Sequence, residues 1–185
     1  MNFRISGLPL EPFIPFFSMS DEELLEHGAR RVVAKAEDAP LMQPCRISLR
    51  DSAPGEVSIL LNYPHHTTPT SPYRASGPIF VRQGVRATAS FVNQVPTQQS
   101  TRLLSVRAYD AAGIMVDAEV TEGTELEATI KRMFCRGDVA FLHAHNAKRG
   151  CYSCRTTGSD RKAGAGLALP ALTCRPGDDP QGQSE

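Results

Sequence analysis

Hydrophobic and polar positions alternate along much of the chain, which is the period of a half-buried β-strand. Turn signals separate the stretches. Gly55 closes the turn 52–55 between two of them, and Gly113 closes the turn 110–113 between two others. Each turn predicts a hairpin that joins its flanking strands. The stretches that we expect to be strands are residues 3–8, 30–34, 45–51, 56–63, 79–82, 103–110, 114–120 and 139–146.

Two stretches have helix start signals instead. Ser20 and Glu23 predict a capping box that opens a short helix, with Leu24 and Leu25 facing inward and Gly28 ending it. Pro96 is followed by residues that suit a short helical turn.

The second start signal is Thr124 with Glu127, which predicts another capping box. The helix that follows, over residues 125–135, is amphipathic, and Gly137 comes after it. Its apolar positions recur at helical spacing, so they face the sheet; they are Leu126, Ile130, Met133 and Phe134. Since strands outnumber helices and tight turns join most of them, we predict an α+β fold: a mainly antiparallel sheet of hairpins with two or three helices packed on it.

Residues 64–72, PHHTTPTSP, interrupt the strand pattern with three prolines. Proline cannot donate a ladder hydrogen bond, so the sequence predicts a surface loop that carries His65 and His66.

The richest stretch in candidate chemistry is 138–155, DVAFLHAHNAKRGCYSCR. Its apolar run, polar loop and glycine predict a hairpin. A symmetric closure pairs Asn146 with Cys151, His145 with Tyr152, and His143 with Cys154. In that register Cys151 lies on the face opposite His143 and His145, which argues against a simple Cys–His dyad.

Composition limits the classes of function. The 185 residues include 20 basic and 20 acidic side chains, so no overall charge attracts nucleic acid, and we expect none as a partner. No apolar run reaches the roughly 20 residues of a membrane span. Five irregularly spaced cysteines do not resemble a secreted disulfide framework, so we expect a mostly reduced, cytoplasmic protein. Residues 1–156 are predicted to form one domain, and the Gly/Pro/Ser-rich residues 157–185 a disordered tail.

The chain resembles a bacterial family known as domain of unknown function 1203. The resemblance lies in FRISGL, SDEELLEHGARRVVA, CRISL, LLNYPHH, PYRASGPIFVR, LLSVRAYD, MVDAEVTEG and HAHNAKRGCY, which occur in one order over roughly residues 1–155. It implies a single domain, and it implies no activity, cofactor or partner. Cys154 and Cys174 lie outside the pattern that the family shares.

Two kinds of chemistry are open at the 138–155 hairpin. In the first, Cys151 or His145 is the catalytic nucleophile or base. In the second, His143 and His145 are alternate strand residues that point at one metal ion, with His65, His66 or Cys154 completing the shell. The pair alone does not favour metal, because a typical site needs three or four ligands. Buried structural cysteines and hydrogen-bonded histidines remain the alternative. His27, after the first helix, suits a surface role.

Binding residues are expected in the loops beside the hairpin. Tyr73 and Arg74 lie in a Ser/Gly/Pro loop, and Asn146 and Arg149 lie at the hairpin turn. Arginine binds carboxylate or phosphate well. Three strand arginines are more simply explained as a solvated sheet face: Arg82, Arg102 and Arg107.

These residues together predict a site for a small anionic metabolite, in a protein that is either an enzyme or a binder. The alternative is a non-catalytic binding or protein-interaction module. An enzyme should bury its histidines and arginines in a concave pocket, whereas an interaction module should present them on an exposed patch.

Overall fold

The computed structural model describes residues 2–38 and 43–158, and it confirms the α+β class. Three α-helices are present in this part of the chain: α1 (Asp21–Glu26), α2 (Thr97–Ser100) and α3 (Leu126–Phe134). The nine strands are β1 (Phe3–Ser6), β2 (Arg30–Val33), β3 (Val57–His66), β4 (Ala75–Arg82), β5 (Ser90–Val92), β6 (Leu103–Tyr109), β7 (Met115–Glu122), β8 (Phe141–Asn146) and β9 (Tyr152–Gly158). The predicted tail beyond residue 158 lies outside the described residues.

The strands form two antiparallel sheets. The larger has the order β5-β1-β9-β8-β6-β7, and the smaller has the order β2-β3-β4. The predicted hairpin of β6 and β7 is confirmed, as is that of β8 and β9. The sheets are therefore built mainly from sequence neighbours, as the turn signals indicate.

Two hydrophobic cores hold these sheets. The first packs α3 against the larger sheet, and the helix positions expected to face inward are all buried. The second packs α1 and the N-terminal 3-10 turns against the smaller sheet, and it also contains Tyr152 of β9. Tyr152 thus joins the larger sheet to the core of the smaller one.

The expected strand over 45–51 is wrong. Cys45 to Asp51 form a turn with only isolated bridges, and Leu49 has a positive φ of 50°. Cys45, Ile47 and Leu49 are buried, so the alternating apolar residues face the core although the segment forms no continuous β-ladder. The backbone carbonyls of the segment accept from other elements instead: Leu8 N–H donates to Arg46 O at 2.8 Å. Consequently β3 pairs with β2 and β4 rather than with 45–51.

The loop predicted over 64–72 is wrong at its start. Strand β3 continues through Pro64 to His66 and pairs with β4, with an irregularity between Pro64 and His66. Pairing of β3 with β2 ends at Leu60, so Pro64 has a neighbouring strand on one side only. A proline is tolerated there because no ladder hydrogen bond is required from its nitrogen.

The two predicted capping boxes differ in outcome. At α1 the box is confirmed: Ser20 Oγ accepts from Glu23 N at 3.2 Å, and Glu23 Oε2 accepts from Ser20 N at 2.6 Å. Leu24 is buried, but Leu25 is 67% exposed, because a six-residue helix buries only one side. At α3 the Thr124 box is absent, since a 3-10 turn (Gly123–Glu125) leads into the helix, whose N-cap residue is Glu125.

Within the described residues, no helix is both long enough and apolar enough to cross a membrane.

Candidate functional site

The β8–β9 hairpin brings the candidate residues into register with one irregularity. Asn146 N–H donates to Cys151 O at 2.9 Å, and His145 pairs with Tyr152, both as expected. A bulge then shifts the register: β8 advances by one residue, from His145 to Ala144, while β9 advances by two, from Tyr152 to Cys154. The predicted pairing of His143 with Cys154 is therefore wrong.

After the bulge, Ala144 pairs with Cys154 and His143 pairs with Arg155. Cys154 consequently lies on the face that packs on α3, in the first core. Burial raises the pKa of its thiol to about 12. Cys154 is thus removed from the set of residues that can complete a metal shell.

The other face of β8 carries polar side chains. Arg107 of β6 and Arg155 of β9 are the two cross-strand neighbours of His143. Side chains paired in this way lie on one face of the sheet. One step along, His145 lies between Ser105 and Tyr152.

A third histidine reaches this face from the smaller sheet. The ring of His65, in β3, lies 5.1 Å from the ring of His145 and 6.0 Å from that of His143, measured between centroids. Tyr152 stacks on His65 with a centroid distance of 4.9 Å and an interplanar angle of 11°. We refer to His65, His143 and His145 as the histidine cluster.

The nitrogen atoms of the cluster are close together. One ring nitrogen from each histidine lies within 4.8 Å of the other two. Each residue also has a buried ring nitrogen with no hydrogen-bond partner in the described structure: Nδ1 of His65, Nδ1 of His143 and Nε2 of His145. Buried polar atoms are normally satisfied, so three such atoms in one place call for an explanation.

One tautomer follows directly from the geometry. Nδ1 of His145 lies 3.2 Å from the carbonyl oxygen of Gly150. Since a carbonyl only accepts, Nδ1 must carry the proton, and a neutral ring then has its lone pair on Nε2. The unpartnered nitrogen of His145 is therefore an available ligand atom.

The protein keeps these rings uncharged. Burial lowers the pKa of His143 to about 2, that of His145 to about 3 and that of His65 to about 4. The next cause is positive charge nearby: Arg155 acts on His143, and Arg107 acts on His65 and His145. Neutral imidazole is the form that binds a metal ion.

His66 and His27 are placed outside the cluster. His66 is buried, and its Nε2 lies 3.0 Å from Gly113 O and 3.3 Å from Ser71 Oγ, while its ring stacks on Tyr109. These contacts occupy Nε2 and fit a structural role. His27 is exposed at the end of α1, where its ring contacts Phe16.

Cys151 contacts polar side chains outside the histidine cluster. Its Sγ accepts hydrogen bonds from Arg46 Nη2 at 3.3 Å and from Asn146 Nδ2 at 3.2 Å. Among the described residues, no hydrogen bond joins Cys151 to a histidine. The thiol is half-buried beside a guanidinium group, and it has no imidazole base at hand.

The expected binding residues are only partly brought together. Tyr73 is 39% exposed, and its ring centroid lies 6.4 Å from that of Tyr109. Arg74 is exposed in the turn before β4, and Arg149 is exposed in the turn between β8 and β9. Among the described residues, no hydrogen bond links either arginine to the histidine cluster.

The arginines expected in strands fall into two groups. Arg82 pairs with Glu56 at 3.2 Å, and Arg102 pairs with Asp51 at 2.8 Å, so both are structural. Arg107 differs, because no described carboxylate lies within ion-pair distance of it, and the same holds for Arg155. The Arg155 guanidinium lies 3.8 Å from the ring centroid of Phe141.

Sequence reasoning missed the position of His65 and the roles of Arg46 and Arg155. A signal for His65 was present. Leu61, Tyr63 and His65 are alternate residues, so a strand that continued past Pro64 would place all three side chains on one face. For Arg46 we find no such signal, because Tyr152 and Cys151 are distant from it in the chain. Arg155 was missed because only the bulge in β9 places it opposite His143.

A family model described as "Protein of unknown function (DUF1203)" matches residues 42–157. No curated protein and no solved structure matches the chain.

Proposed function

The chain belongs to the DUF1203 family of proteins of unknown function, and we propose that it binds a small anionic molecule beside the histidine cluster. The observation that carries this proposal is the row Arg107–His143–Arg155 across three adjacent strands. The two arginines are thus the cross-strand neighbours of a residue whose imidazole is neutral. A carboxylate or phosphate is the ligand that such donors recognise best.

Charge balance supports an anion in particular. The charged side chains that shift the pKa values of the three cluster histidines are the arginines Arg107, Arg155 and, more weakly, Arg46. No aspartate or glutamate of the described residues is among them. A partly desolvated positive region without an acidic partner attracts anions.

Accessibility supports a small ligand. His143 and His145 are each 1% exposed, whereas Arg107 is half-buried and Arg155 is exposed. An anion can thus reach the two arginines from solvent, and the side of the anion that faces the protein would contact the histidine cluster. A protein partner would need a broad exposed patch, and the buried histidines argue against the interaction-module alternative.

The catalytic roles of His145 and Cys151 stay predictions. A ring whose pKa is about 3 is a weak general base at neutral pH, so His145 suits ligation better than proton abstraction. Cys151 has stabilising donors in Arg46 and Asn146 but no adjacent base. An enzyme of this kind would hold its anionic substrate with Arg107 and Arg155, with Tyr73, Arg74, Asn146 and Arg149 at the rim.

The test is anion binding measured by calorimetry with phosphate, sulfate, acetate and malonate as probes. We expect at least one probe to bind, and Arg107→Gln and Arg155→Gln each to weaken it about 10-fold or more, since a hydrogen bond to a charged group contributes roughly 1.5–3 kcal/mol. Arg86→Gln, at an exposed arginine, is the matched control and should bind as the wild type does. Equal affinity in all four proteins, or no binding of any probe, would overturn the proposal.

A further inference from the structure

Each histidine of the cluster has a ring nitrogen that makes no hydrogen bond in the described structure. His143 and His145 are almost fully buried, yet each keeps a ring nitrogen without a partner, and so does His65. An unpaired buried polar group costs roughly 1–3 kcal/mol. Three such groups in one cluster, whose rings each offer a nitrogen within 4.8 Å of the other two, are costly unless something binds them.

We propose that His65, His143 and His145 together bind one divalent transition-metal ion, of which Zn²⁺ is the reference case. The inference goes beyond anion binding, because it depends on the imidazole nitrogens and not on the arginines. Three neutral nitrogen ligands with a free fourth position are the arrangement of a catalytic rather than a structural zinc site.

The spacing fits a tetrahedral ion. Zn–N bonds of about 2.0–2.1 Å place two ligand nitrogens roughly 3.3 Å apart. The ring nitrogens lie within 4.8 Å of one another, so rotations of the side chains would have to shorten the longest separation by about 1.5 Å for an ion to bind all three. Because His65 comes from β3 and the others from β8, the ion would be held between the two sheets.

Contacts outside the cluster orient two of the three rings. The Gly150 carbonyl accepts from Nδ1 of His145 and directs its Nε2 lone pair toward the cluster. Tyr152 stacks flat on His65 and restricts the tilt of that ring. Metal-binding histidines usually have such a carbonyl or carboxylate partner on the second nitrogen.

Other candidate ligands are excluded by their positions. Nε2 of His66 is engaged with Gly113 and Ser71, and Cys154 lies on the opposite face of the sheet. The fourth position is therefore left for water or for an anionic ligand. The positive charge of Arg107 and Arg155 opposes a bare cation, and a bound anion would offset that repulsion.

The experiment uses the full chain without a histidine tag. Zn²⁺ binding is measured by competition with a chromophoric chelator, and Co²⁺ is used for its visible spectrum. We expect one ion per chain and the intense bands of four-coordinate Co²⁺. His65→Gln, His143→Gln and His145→Gln should each weaken binding about 100-fold or more, since loss of even an outer-shell partner costs about 10–100-fold.

His27→Gln is the matched control, because His27 is exposed at the C-terminal end of α1, where its ring contacts Phe16, and it should bind Zn²⁺ as the wild type does. If a cluster variant does not fold, nitrogen-detected imidazole NMR of the wild type replaces it. Zn²⁺ should then shift the ring signals of three of the five histidines. Wild type that binds no ion, or a cluster variant that binds as tightly as His27→Gln, would overturn the proposal.

The two proposals can fail separately. Arg107→Gln should bind the anion more weakly while it still binds Zn²⁺, and His65→Gln should bind Zn²⁺ more weakly while the arginines remain in place. Zn²⁺ binding without any anion binding would contradict only the proposed function, and the reverse result would contradict only the metal site.

Discussion

At the residue scale, Arg46 is the least expected side chain in the molecule. It is 1% exposed, and no carboxylate of the described residues pairs with it. Its guanidinium donates instead to the carbonyls of Tyr152 and Pro44 and to Cys151 Sγ. Burial lowers the pKa of Arg46, yet arginine stays charged at neutral pH. One buried cation therefore connects the 45–51 turn to the start of β9.

We predict that Arg46→Ala lowers the free energy of unfolding by about 3 kcal/mol. The change removes the donor to the buried carbonyl of Tyr152 and to the partly buried carbonyl of Pro44, and it opens a cavity; the lost hydrogen bonds and the cavity each cost about 1 kcal/mol or more. Urea denaturation followed by circular dichroism measures the difference. Arg86→Ala, at an exposed arginine, is the control and should change stability by roughly 0.5 kcal/mol or less. Equal stability of the two variants would show that the Arg46 contacts make no net contribution to the free energy of unfolding.

At the element scale, local signals identified most helices and strands but not every terminus. Ser20 and Thr124 occupy the same position in identical capping-box patterns, and only Ser20 forms the box. The difference comes from the preceding backbone. Gly123 packs so closely on Gln99 O that a Cβ at this position would lie 2.0 Å from that oxygen. Thr124 therefore lies inside the 3-10 turn Gly123–Glu125 and does not have the extended backbone of a capping residue.

This contrast gives a paired prediction. Ser20→Ala should destabilise the protein by about 1 kcal/mol, because the backbone N–H of Glu23 loses its acceptor at the start of α1. Thr124→Ala should change stability by roughly 0.5 kcal/mol or less, since no capping bond is lost. Thermal unfolding of both variants beside the wild type measures the difference. A Thr124→Ala variant that is as destabilised as Ser20→Ala would contradict this account of α3.

At the scale of the whole molecule, the histidine cluster lies where the two sheets meet. His65 and Tyr152 stack across that boundary, one from each sheet. An ion bound by residues of both sheets would hold them together in the folded state and would bind the unfolded chain weakly. Ligand binding to the native state alone raises stability by mass action.

We therefore expect Zn²⁺ at 100 times its dissociation constant to raise the free energy of unfolding by about 2.7 kcal/mol. Thermal unfolding with and without Zn²⁺ gives the measurement, and a chelator should reverse the gain. His27→Gln should keep the whole increase, and His65→Gln should lose it. An increase that survives in His65→Gln would place the ion elsewhere.

The sequence alone determined the fold class and most of the hairpins, because these depend on local periodicity and turn chemistry. The α3 face, the α1 capping box and the β6–β7 and β8–β9 pairings all follow from neighbours within a few residues. It also directed attention to His143 and His145, since alternate residues of a strand share a face whatever surrounds them.

Only the tertiary structure decided what completes that face. The bulge in β9 exchanged Cys154 for Arg155 beside His143, and the continuation of β3 through Pro64 brought in His65. Neither is set locally: a bulge depends on how the partner strand packs, and a proline is tolerated only where no neighbouring strand needs its nitrogen. A site assembled from two sheets is a property of long-range packing, which periodicity along one chain does not encode.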